Sequence, residues 1–309
     1  MTRSVKGDTM IRLGLCCIFR KAPIKFRRTT ARYLLSLSKA KREEHLASIC
    51  MHNADALYQA LQFCASNGIG AFRINSQILP VKTHPDAGYD PGKLPGGDRI
   101  IARFKQCGAF ARENGLRTTF HPDQFLVLSS TDADVVKRSI ADLAYHAMVA
   151  GWVAADVINI HGGGAYGDKK RALRRLAGVI QGLDRAIGSR LTLENDDRVY
   201  TPADLLPVSM ETGVPLVYDV HHHRCLPDGS SVEQTTQAAL ATWNREPLFH
   251  LSSPLNGWKK APCRPHHDFI DPRDFPDCWR DLDLTVEVEA KAKELAVLRL
   301  RNALNRDSG

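Results

Sequence analysis

The feature that most constrains the fold of this chain is a regular alternation of short apolar segments with longer segments of helical spacing. Eight strands alternating with helices, with no change in composition that would mark a linker, are typical of a single-domain (β/α)₈ barrel. The predicted strands are Ile11–Leu15, Ala71–Asn75, Arg117–His121, Val157–His161, Leu191–Asn195, Leu216–Val220, Leu248–Ser252 and Leu284–Glu289. The clearest helical segments are Asp132–Ala150, Lys169–Ile187 and Val232–Trp243.

An open, doubly wound sheet is the main alternative architecture. Such a sheet usually carries a glycine-rich phosphate loop after its first strand, whereas this chain has Leu15-Cys-Cys-Ile-Phe19 there. We therefore predict one α/β domain, a TIM barrel over residues 10–309. Residues 1–9 are predicted to be a short disordered leader, and Met10 is an alternative start.

The composition predicts a cytoplasmic protein without membrane contact. No apolar run approaches the roughly 20 residues of a membrane span, and the start lacks the apolar core of a secretory signal. A transit peptide over Met1–Arg12 is the alternative, but the first predicted strand leaves only a nine-residue leader for it. The eight cysteines form no CxxC pair, so we interpret most of them as small buried residues in a reducing compartment.

The net charge of +8 is concentrated near the start of the chain. Residues 1–44 contain 12 Lys or Arg and 3 Asp or Glu, and the remaining residues sum to about −1. A basic segment of this kind can hold a polyanion, because each neutralised phosphate releases counterions. A solvated loop and helix surface is the alternative interpretation of the same charges.

Residues of the types that bind metals stand at or just after the ends of six successive predicted strands. In a barrel the C-terminal ends of all strands meet at one rim, where the active sites of this fold are built. One such residue would be coincidence, whereas six predict a shared site. They are His121, His161, Glu194, Asp219, His250 and Glu289.

Alternation along the strands predicts a second interior layer below this rim. Residues two apart share a face, so Thr119, Asn159, Thr192 and Glu287 point the same way as the rim residues that follow them. Arg73 and Glu287 are predicted to form a buried ion pair that belongs to the scaffold rather than to catalysis.

Imidazoles and carboxylates without thiolates suit Zn²⁺ or Mn²⁺. Three carboxylates and four to six histidines exceed what one tetrahedral ion uses, so we predict two or three ions with Glu194 able to bridge two of them. Ions about 3.5–4 Å apart are the arrangement for in-line phosphodiester hydrolysis. Two histidine runs leave alternatives open, because one or two of His221–His223 and one of His266 and His267 are expected to face the metals.

Eight local motifs follow one another along nearly the whole chain. They are Ala71-Phe-Arg-Ile-Asn75, His121-Pro-Asp-Gln-Phe125, His161-Gly-Gly-Gly-Ala-Tyr-Gly167, Leu193-Glu-Asn-Asp-Asp-Arg198, Asp219-Val-His-His-His223, Phe249-His-Leu-Ser-Ser253, His266-His-Asp-Phe-Ile270 and Val286-Glu-Val-Glu-Ala-Lys291. The ordered set resembles the UV damage endonuclease family, whose TIM barrel is related to endonuclease IV and the xylose-isomerase-like enzymes.

The resemblance implies an enzyme that nicks damaged double-stranded DNA immediately 5′ to ultraviolet photoproducts, and in the family also at abasic sites, leaving 3′-hydroxyl and 5′-phosphate ends. It also implies a three-ion site with Mn²⁺ as the expected metal, and Zn²⁺, Mg²⁺ or Co²⁺ as alternatives. The implied metal ligands are His121, His161, Glu194, Asp219, His222, His250, His267 and Glu289. The implied catalytic residues are Glu194, Asp219, His250 and His84.

The family also inserts a Gln-Tyr pair into the duplex at the lesion, and Gln124-Phe125 occupies that place here. We expect a monomer that meets the nucleoid while acting and needs no protein partner. The residues assigned to DNA contact are Gln124, Phe125, Tyr166, Lys169, Arg27 and Arg28.

Three positions depart from the family pattern. The chain has Leu15 and Phe19 where the family has a tyrosine and an asparagine near the lesion, and Leu248 where the family has a lysine that some members carboxylate. Intact ligands with changed neighbours predict metal-dependent phosphodiester chemistry with an altered lesion preference or rate.

Two other functions compete with this hypothesis. A sugar isomerase or epimerase of the same superfamily would use two metals, but the histidine excess, the basic segment and Gln124-Phe125 favour DNA. A DNA-binding barrel that keeps its metals only for structure is the third possibility.

Overall fold

A ring of eight parallel strands forms the centre of the molecule, as seen in a computed structural model that describes residues 11–123 and 125–307. The strands are β1 (Ile11–Cys16), β2 (Ala71–Ile74), β3 (Arg117–Phe120), β4 (Val157–His161), β5 (Leu191–Glu194), β6 (Leu216–Val217), β7 (Leu248–Leu251) and β8 (Leu284–Val288). The helices are α1 (Ala31–Leu35), α2 (Lys39–Ser66), α3 (Gly97–Glu113), α4 (Ala133–Val153), α5 (Lys169–Gln181), α6 (Arg185–Gly188), α7 (Pro202–Thr212), α8 (Val220–Cys225), α9 (Val232–Leu240) and α10 (Glu294–Asp307).

The strands pair in the order β6-β5-β4-β3-β2-β1-β8-β7, so β6 and β7 are the two ends of the sheet. These ends meet through one backbone hydrogen bond, from the His250 amide to the Tyr218 carbonyl at 3.0 Å, and through a bridge between Asp219 and His250. The barrel is therefore nearly closed, and its weakest seam lies at β6. The predicted single-domain (β/α)₈ barrel is confirmed.

The two faces of the strands bury different kinds of side chain. Outward-facing residues such as Phe72, Phe120 and Leu193 are buried against the surrounding helices and form the main apolar core. The barrel interior is polar in its upper layers, and its lower part holds a separate apolar cluster of Val157, Val217 and Leu248. Polar side chains that enter this interior must therefore find partners inside it.

Most element ends lie within one to three residues of the sequence prediction, and two of the differences change the architecture. The sixth strand ends at Val217 rather than Val220, because Asp219 caps α8: its Oδ1 accepts a hydrogen bond from the His222 amide at 2.8 Å. The predicted helix Lys169–Ile187 is interrupted after Gln181, and only the short α6 follows.

Other predictions about the chain meet the structure only in part. All eight cysteines are free and four of them are buried, so the expectation that most are buried is met only in part. Among the described residues, no helix is long and apolar enough to cross a membrane. The predicted leader, residues 1–9, lies outside the described residues.

Candidate metal centre

The last residue of β5, Glu194, is fully buried at the centre of the C-terminal rim. One of its oxygens, Oε2, lies 2.8 Å from His121 Nε2 and also accepts a hydrogen bond from the amide of Asn159. The other, Oε1, lies 3.0 Å from His250 Nδ1. His121, Glu194 and His250 thus offer three ligand atoms that lie within 4.8 Å of one another.

A second group of three residues shares Glu194 with the first. It adds Asp219 and His222, again with ligand atoms within 4.8 Å of one another. The α8 cap sets this geometry, because the turn from Asp219 into the helix brings His222 Nδ1 within 3.4 Å of both Asp219 Oδ2 and Glu194 Oε1. Asn195 fixes the turn by exchanging two hydrogen bonds of 2.9 Å with the backbone of Asp219.

Two buried polar atoms at the rim have no hydrogen-bond partner among the described residues: Asp219 Oδ2 and His161 Nδ1. The His161 ring lies 4.9 Å from the ring of His121 and 6.0 Å from that of His222, and so adjoins both groups. Asp219 Oδ2 has the His222 ring 3.4 Å away but no hydrogen bond, and such a buried carboxylate oxygen is costly unless a cation compensates it. The donor set, two groups of imidazoles and carboxylates that share Glu194, therefore fits divalent metal binding.

Beneath Glu194, the guanidinium of Arg73 joins the two layers of the interior. Its Nε lies 2.5 Å from Glu287 Oε2, which confirms the predicted buried ion pair. Its Nη1 lies 2.6 Å from Glu289 Oε1, and its Nη2 lies 2.9 Å from His250 Nε2. Arg73 therefore reaches two rim residues that were predicted to bind metal, in addition to its scaffold partner.

Mutual contacts shift the pKa values of the rim groups strongly. Burial opposes ionisation of Glu194, but His250, His161 and His121 hold its pKa well below the usual range. Glu287 is similarly lowered to a pKa of about 2 against burial, chiefly by Arg73. In the opposite direction, Glu194 raises the pKa of His250 to about 10 although burial acts to lower it.

The remaining rim groups follow the same electrostatic pattern. Although burial alone would raise it, the pKa of Glu289 is held well below its usual range by Arg73 and His250. The pKa of His222 is raised, because Asp219 and Glu194 outweigh burial. His161 is different, since burial lowers its pKa. His161 can therefore accept a cation without first losing a proton.

The structure brings His266, rather than His267, to the rim. The Nδ1 of His266 lies 3.8 Å from Glu289 Oε2, and its ring lies 6.3 Å from that of His222. His267 is exposed, and its Nδ1 is 3.0 Å from the Phe269 amide. Of the two histidines in this run, His266 therefore lies beside Glu289, whereas His267 points away from it into solvent.

His84, predicted to be catalytic, lies outside the two groups. Its Nδ1 accepts hydrogen bonds from the amides of Asp86 and Ala87 at 3.1 and 3.3 Å. The residue lines a cavity of about 400 Å³ between the loops that follow β1, β2 and β3. This placement ties the His84 ring to its own loop.

The residues assigned to DNA contact differ in solvent exposure and in the contacts that they already make. Phe125 is 82% exposed and Tyr166 is 47% exposed, whereas Gln124 lies outside the described residues. Lys169 is already engaged, because its Nζ lies 2.7 Å from Asp204 Oδ2. Arg27 and Arg28 are both exposed on the loop between β1 and α1.

The three departures from the family pattern are accommodated by packing. Leu15 is fully buried, and the ring of Phe19 packs against those of Phe63 and Phe72 at 5.2 and 5.9 Å. Leu248 lies in the apolar cluster at the lower part of the barrel, below His250. It fills this space with hydrocarbon instead of presenting a charge to the rim.

Sequence reasoning placed Asn159 and Thr192 in the interior layer, but it missed the bond of Asn159 to Glu194 and the role of Asn195. Asn159 accepts a hydrogen bond from Thr192 at 2.9 Å and donates one to Glu194, and Asn195 holds the Asp219 turn. Their positions near predicted strand ends were the available signal, since supporting hydrogen bonds orient the ligands of most metal sites.

Comparison with known proteins places these features in one family. Residues 11–308 match the UV-endonuclease UvdE family. A UV DNA damage endonuclease from Bacillus velezensis is 34% identical over 305 residues, which cover 94% of this chain and 91% of that protein. Another, from Bacillus cereus strain Q1, is 32% identical over 280 residues, covering 87% and 86%.

Solved structures agree with this placement. The crystal structure of SacUVDE superposes with a TM-score of 0.86 at 26% identity, covering 97% of this chain and 99% of that chain. Endonuclease IV from Thermus thermophilus gives a TM-score of 0.58 at 15% identity, covering 96% and 99%. D-psicose 3-epimerase from Clostridium cellulolyticum gives 0.57 at 15%, covering 96% and 98%. The last two similarities concern the fold alone.

Proposed function

Because the chain belongs to the UV-endonuclease UvdE family, we propose that it nicks damaged double-stranded DNA immediately 5′ to ultraviolet photoproducts and abasic sites, leaving 3′-hydroxyl and 5′-phosphate ends. Family membership itself makes the chain a DNA repair endonuclease. The observation that supports hydrolysis most directly is the pair of ligand groups that share Glu194 at the open end of the barrel.

The residues that would hold divalent ions in this proposal are His121, His161, Glu194, Asp219, His222, His250, His266 and Glu289. When bound, two or three ions, with Mn²⁺ as the expected metal, supply charge neutralisation at the phosphate and activation of the attacking water. His266 is preferred to His267 in this proposal, because its Nδ1 lies 3.8 Å from Glu289 Oε2 whereas His267 is exposed.

The chain's own residues hold the site ready for a phosphodiester. The buried Glu194 is kept ionised by His250, His161 and His121, so it retains negative charge for cations at neutral pH. Arg73 orients Glu289 and His250 from below, and Asn195 orients Asp219 from the side. His84 is proposed to act near the phosphate through its Nε2, because its Nδ1 accepts two amide hydrogen bonds within its own loop.

The partner in this proposal is the damaged duplex, bound by a monomer in the cytoplasm. The exposed Phe125 would take the place of the lost stacking at the lesion, since flat side chains can replace an unstacked base. Arg27 and Arg28 extend a basic surface from the rim for flanking phosphates. Tyr166, on the loop after β4, is another exposed aromatic residue proposed to contact the DNA.

The test is a nicking assay on an end-labelled duplex with one photoproduct, in the presence of Mn²⁺. We expect one product whose length maps the cut immediately 5′ to the lesion and whose 3′ end a DNA polymerase extends directly. Excess chelator should abolish the nick, and an undamaged duplex of the same sequence should stay intact. Cutting of both duplexes at the same rate, or none by a folded, metal-loaded protein, would contradict the proposal.

Metal affinity is expected to rise with pH. The raised pKa values of His222 and His250 mean that both side chains are imidazolium cations near neutral pH. A metal ion must displace the extra proton of each to bind. Each displaced proton strengthens apparent binding about tenfold per pH unit below its pKa, here up to about 10 for His250. Calorimetric titration with Mn²⁺ at pH 7, in two buffers of different ionisation enthalpy, counts the protons.

We expect one to two protons to be released by the wild-type chain and fewer by His222→Gln, while His45→Gln, on α2, serves as the matched control. Identical heats in both buffers would show that the imidazoles are already neutral.

A further inference from the structure

A cavity of about 880 Å³ opens beside the metal centre, on the long connection between β7 and β8. None of the proposed chemistry uses it. Its wall includes Trp258, Lys259, Lys260, Asp271, Arg273 and Asp274.

Trp258 is held rigidly at the wall of this cavity although 39% of it is exposed. Its indole Nε1 donates a hydrogen bond of 2.7 Å to Asp274 Oδ1, and the buried Asp274 also accepts one of 2.5 Å from Ser253. The ring packs against His221 at 5.2 Å, and the guanidinium of Arg224 lies 5.6 Å from it. An exposed indole fixed by a buried carboxylate is a preorganised contact surface, because little conformational entropy remains to be lost on binding.

The charges around Trp258 select the chemistry of a ligand. Lys259 and Lys260 are exposed and have no acidic partner among the described residues. The acidic groups of the wall are already engaged, since Asp271 lies 2.5 Å from Arg273 and Asp274 binds Trp258. The cavity therefore presents an aromatic surface together with positive charge, as sites for single nucleotides of a nucleic acid do.

Only one imidazole ring separates this cavity from the metal centre. His221 contacts Trp258 on one side and the ring of His266 at 5.0 Å on the other, and His266 adjoins Glu289. A DNA strand advances about 3.4 Å per nucleotide, so a strand bound at the centre reaches the cavity within a few nucleotides.

We propose that this cavity binds one unstacked nucleotide of the DNA within a few positions of the nick, with its base against Trp258 and its phosphates at Lys259 and Lys260. The inference rests on the proposed function in taking DNA as the ligand. It assigns to this chain a nucleotide site outside the metal centre and outside the Gln124-Phe125 wedge.

The decisive experiment compares Trp258→Ala with Trp258→Phe and with Met210→Ala, an exposed apolar residue on α7. We expect Trp258→Ala to raise KM for the photoproduct duplex at least about fivefold with kcat changed less than twofold, since stacking on an aromatic ring contributes to binding rather than to the chemical step. Trp258→Phe should recover most of this loss, and Met210→Ala should match the wild type.

A second readout does not require cutting. A duplex that is already nicked and carries 2-aminopurine within three nucleotides of the nick should lose fluorescence on binding to the wild type, and much less on binding to Trp258→Ala. In the same titration Lys259→Ala/Lys260→Ala should lower the slope of log affinity against log salt by about 1 to 2, whereas Lys105→Ala/Arg112→Ala on α3 should not.

The outcomes separate this inference from the proposed function. A wild type that nicks and a Trp258→Ala variant with unchanged KM and unchanged quenching would overturn the nucleotide site alone. A wild type that does not nick but shows Trp258-dependent quenching would overturn the endonuclease and leave the site standing. If Trp258→Ala is shown by circular dichroism to be unfolded, the lysine pair decides: an unchanged salt slope overturns the proposal.

Discussion

Replacing Glu194 with glutamine is expected to reduce the rate of nicking by about 10³-fold or more. The substitution keeps the size of the side chain but removes the one carboxylate that belongs to both ligand groups. Loss of a single preorganised charge contact to a developing transition state costs about 10²–10³-fold, and here the same change also weakens the binding of two ions. The measurement is kcat on a photoproduct duplex together with bound metal per chain.

The matched control is Asp123→Asn, which removes a rim carboxylate that contacts Ser76 and Gln77 and belongs to neither ligand group. It should leave kcat within about twofold of the wild type. A Glu194→Gln protein that keeps its metal and more than a tenth of the wild-type rate would show that the shared carboxylate is not central to the reaction.

Replacing Arg73 with methionine is expected to lower the free energy of unfolding of the metal-free protein by about 3–5 kcal/mol. The guanidinium is nearly inaccessible and contacts Glu287, Glu289 and His250, so its removal leaves two buried carboxylates without their closest charged partner. Urea denaturation in the presence of chelator measures the change.

Two comparisons sharpen the Arg73 result. Arg103→Met breaks a half-exposed pair with Asp55 and should cost at most about 1 kcal/mol. Arg73→Met/Glu287→Gln should recover part of the loss, because one orphaned charge is gone. A single variant within 1 kcal/mol of the wild type would mean that the carboxylates are neutral or solvated.

The same contacts give the Arg73 network a pH signature. Glu287 has a pKa lowered to about 2, so the stability it contributes is present above its ordinary pKa near 4.5 and is lost as pH falls toward 2. In Arg73→Met this dependence should flatten, since the principal cause of the lowered pKa is removed. Denaturation at pH 7 and pH 3 distinguishes the two cases.

The sequence predicted the rim well because strand ends and side-chain type are local properties. Glu194, His121 and His250 each lie at or next to the end of a strand whose pattern can be read without knowing the fold. The barrel then brings the three residues together. The buried pair of Arg73 and Glu287 followed from alternation in the same way. These predictions needed only periodicity and the common rim of a barrel.

Positions set by loops could not be predicted in this way. His266 and His267 are neighbours of the same type, and only the backbone of the β7–β8 connection decides which one faces Glu289. His84 is tied to its own loop by two amides, and Lys169 is paired with Asp204 across the chain. Such outcomes depend on tertiary hydrogen bonds that carry no periodic signal.

The short β6 links metal binding to the stability of the barrel. The backbone joins β6 and β7 at their upper ends through little more than the His250 amide and the bridge to Asp219, and these two residues belong to the two ligand groups that Glu194 connects. Divalent ions held by these two groups would add a connection between β6 and β7 to the few backbone contacts that join them. Removal of the metal is therefore expected to weaken the β6–β7 seam before other parts of the barrel, at the same residues that the reaction needs.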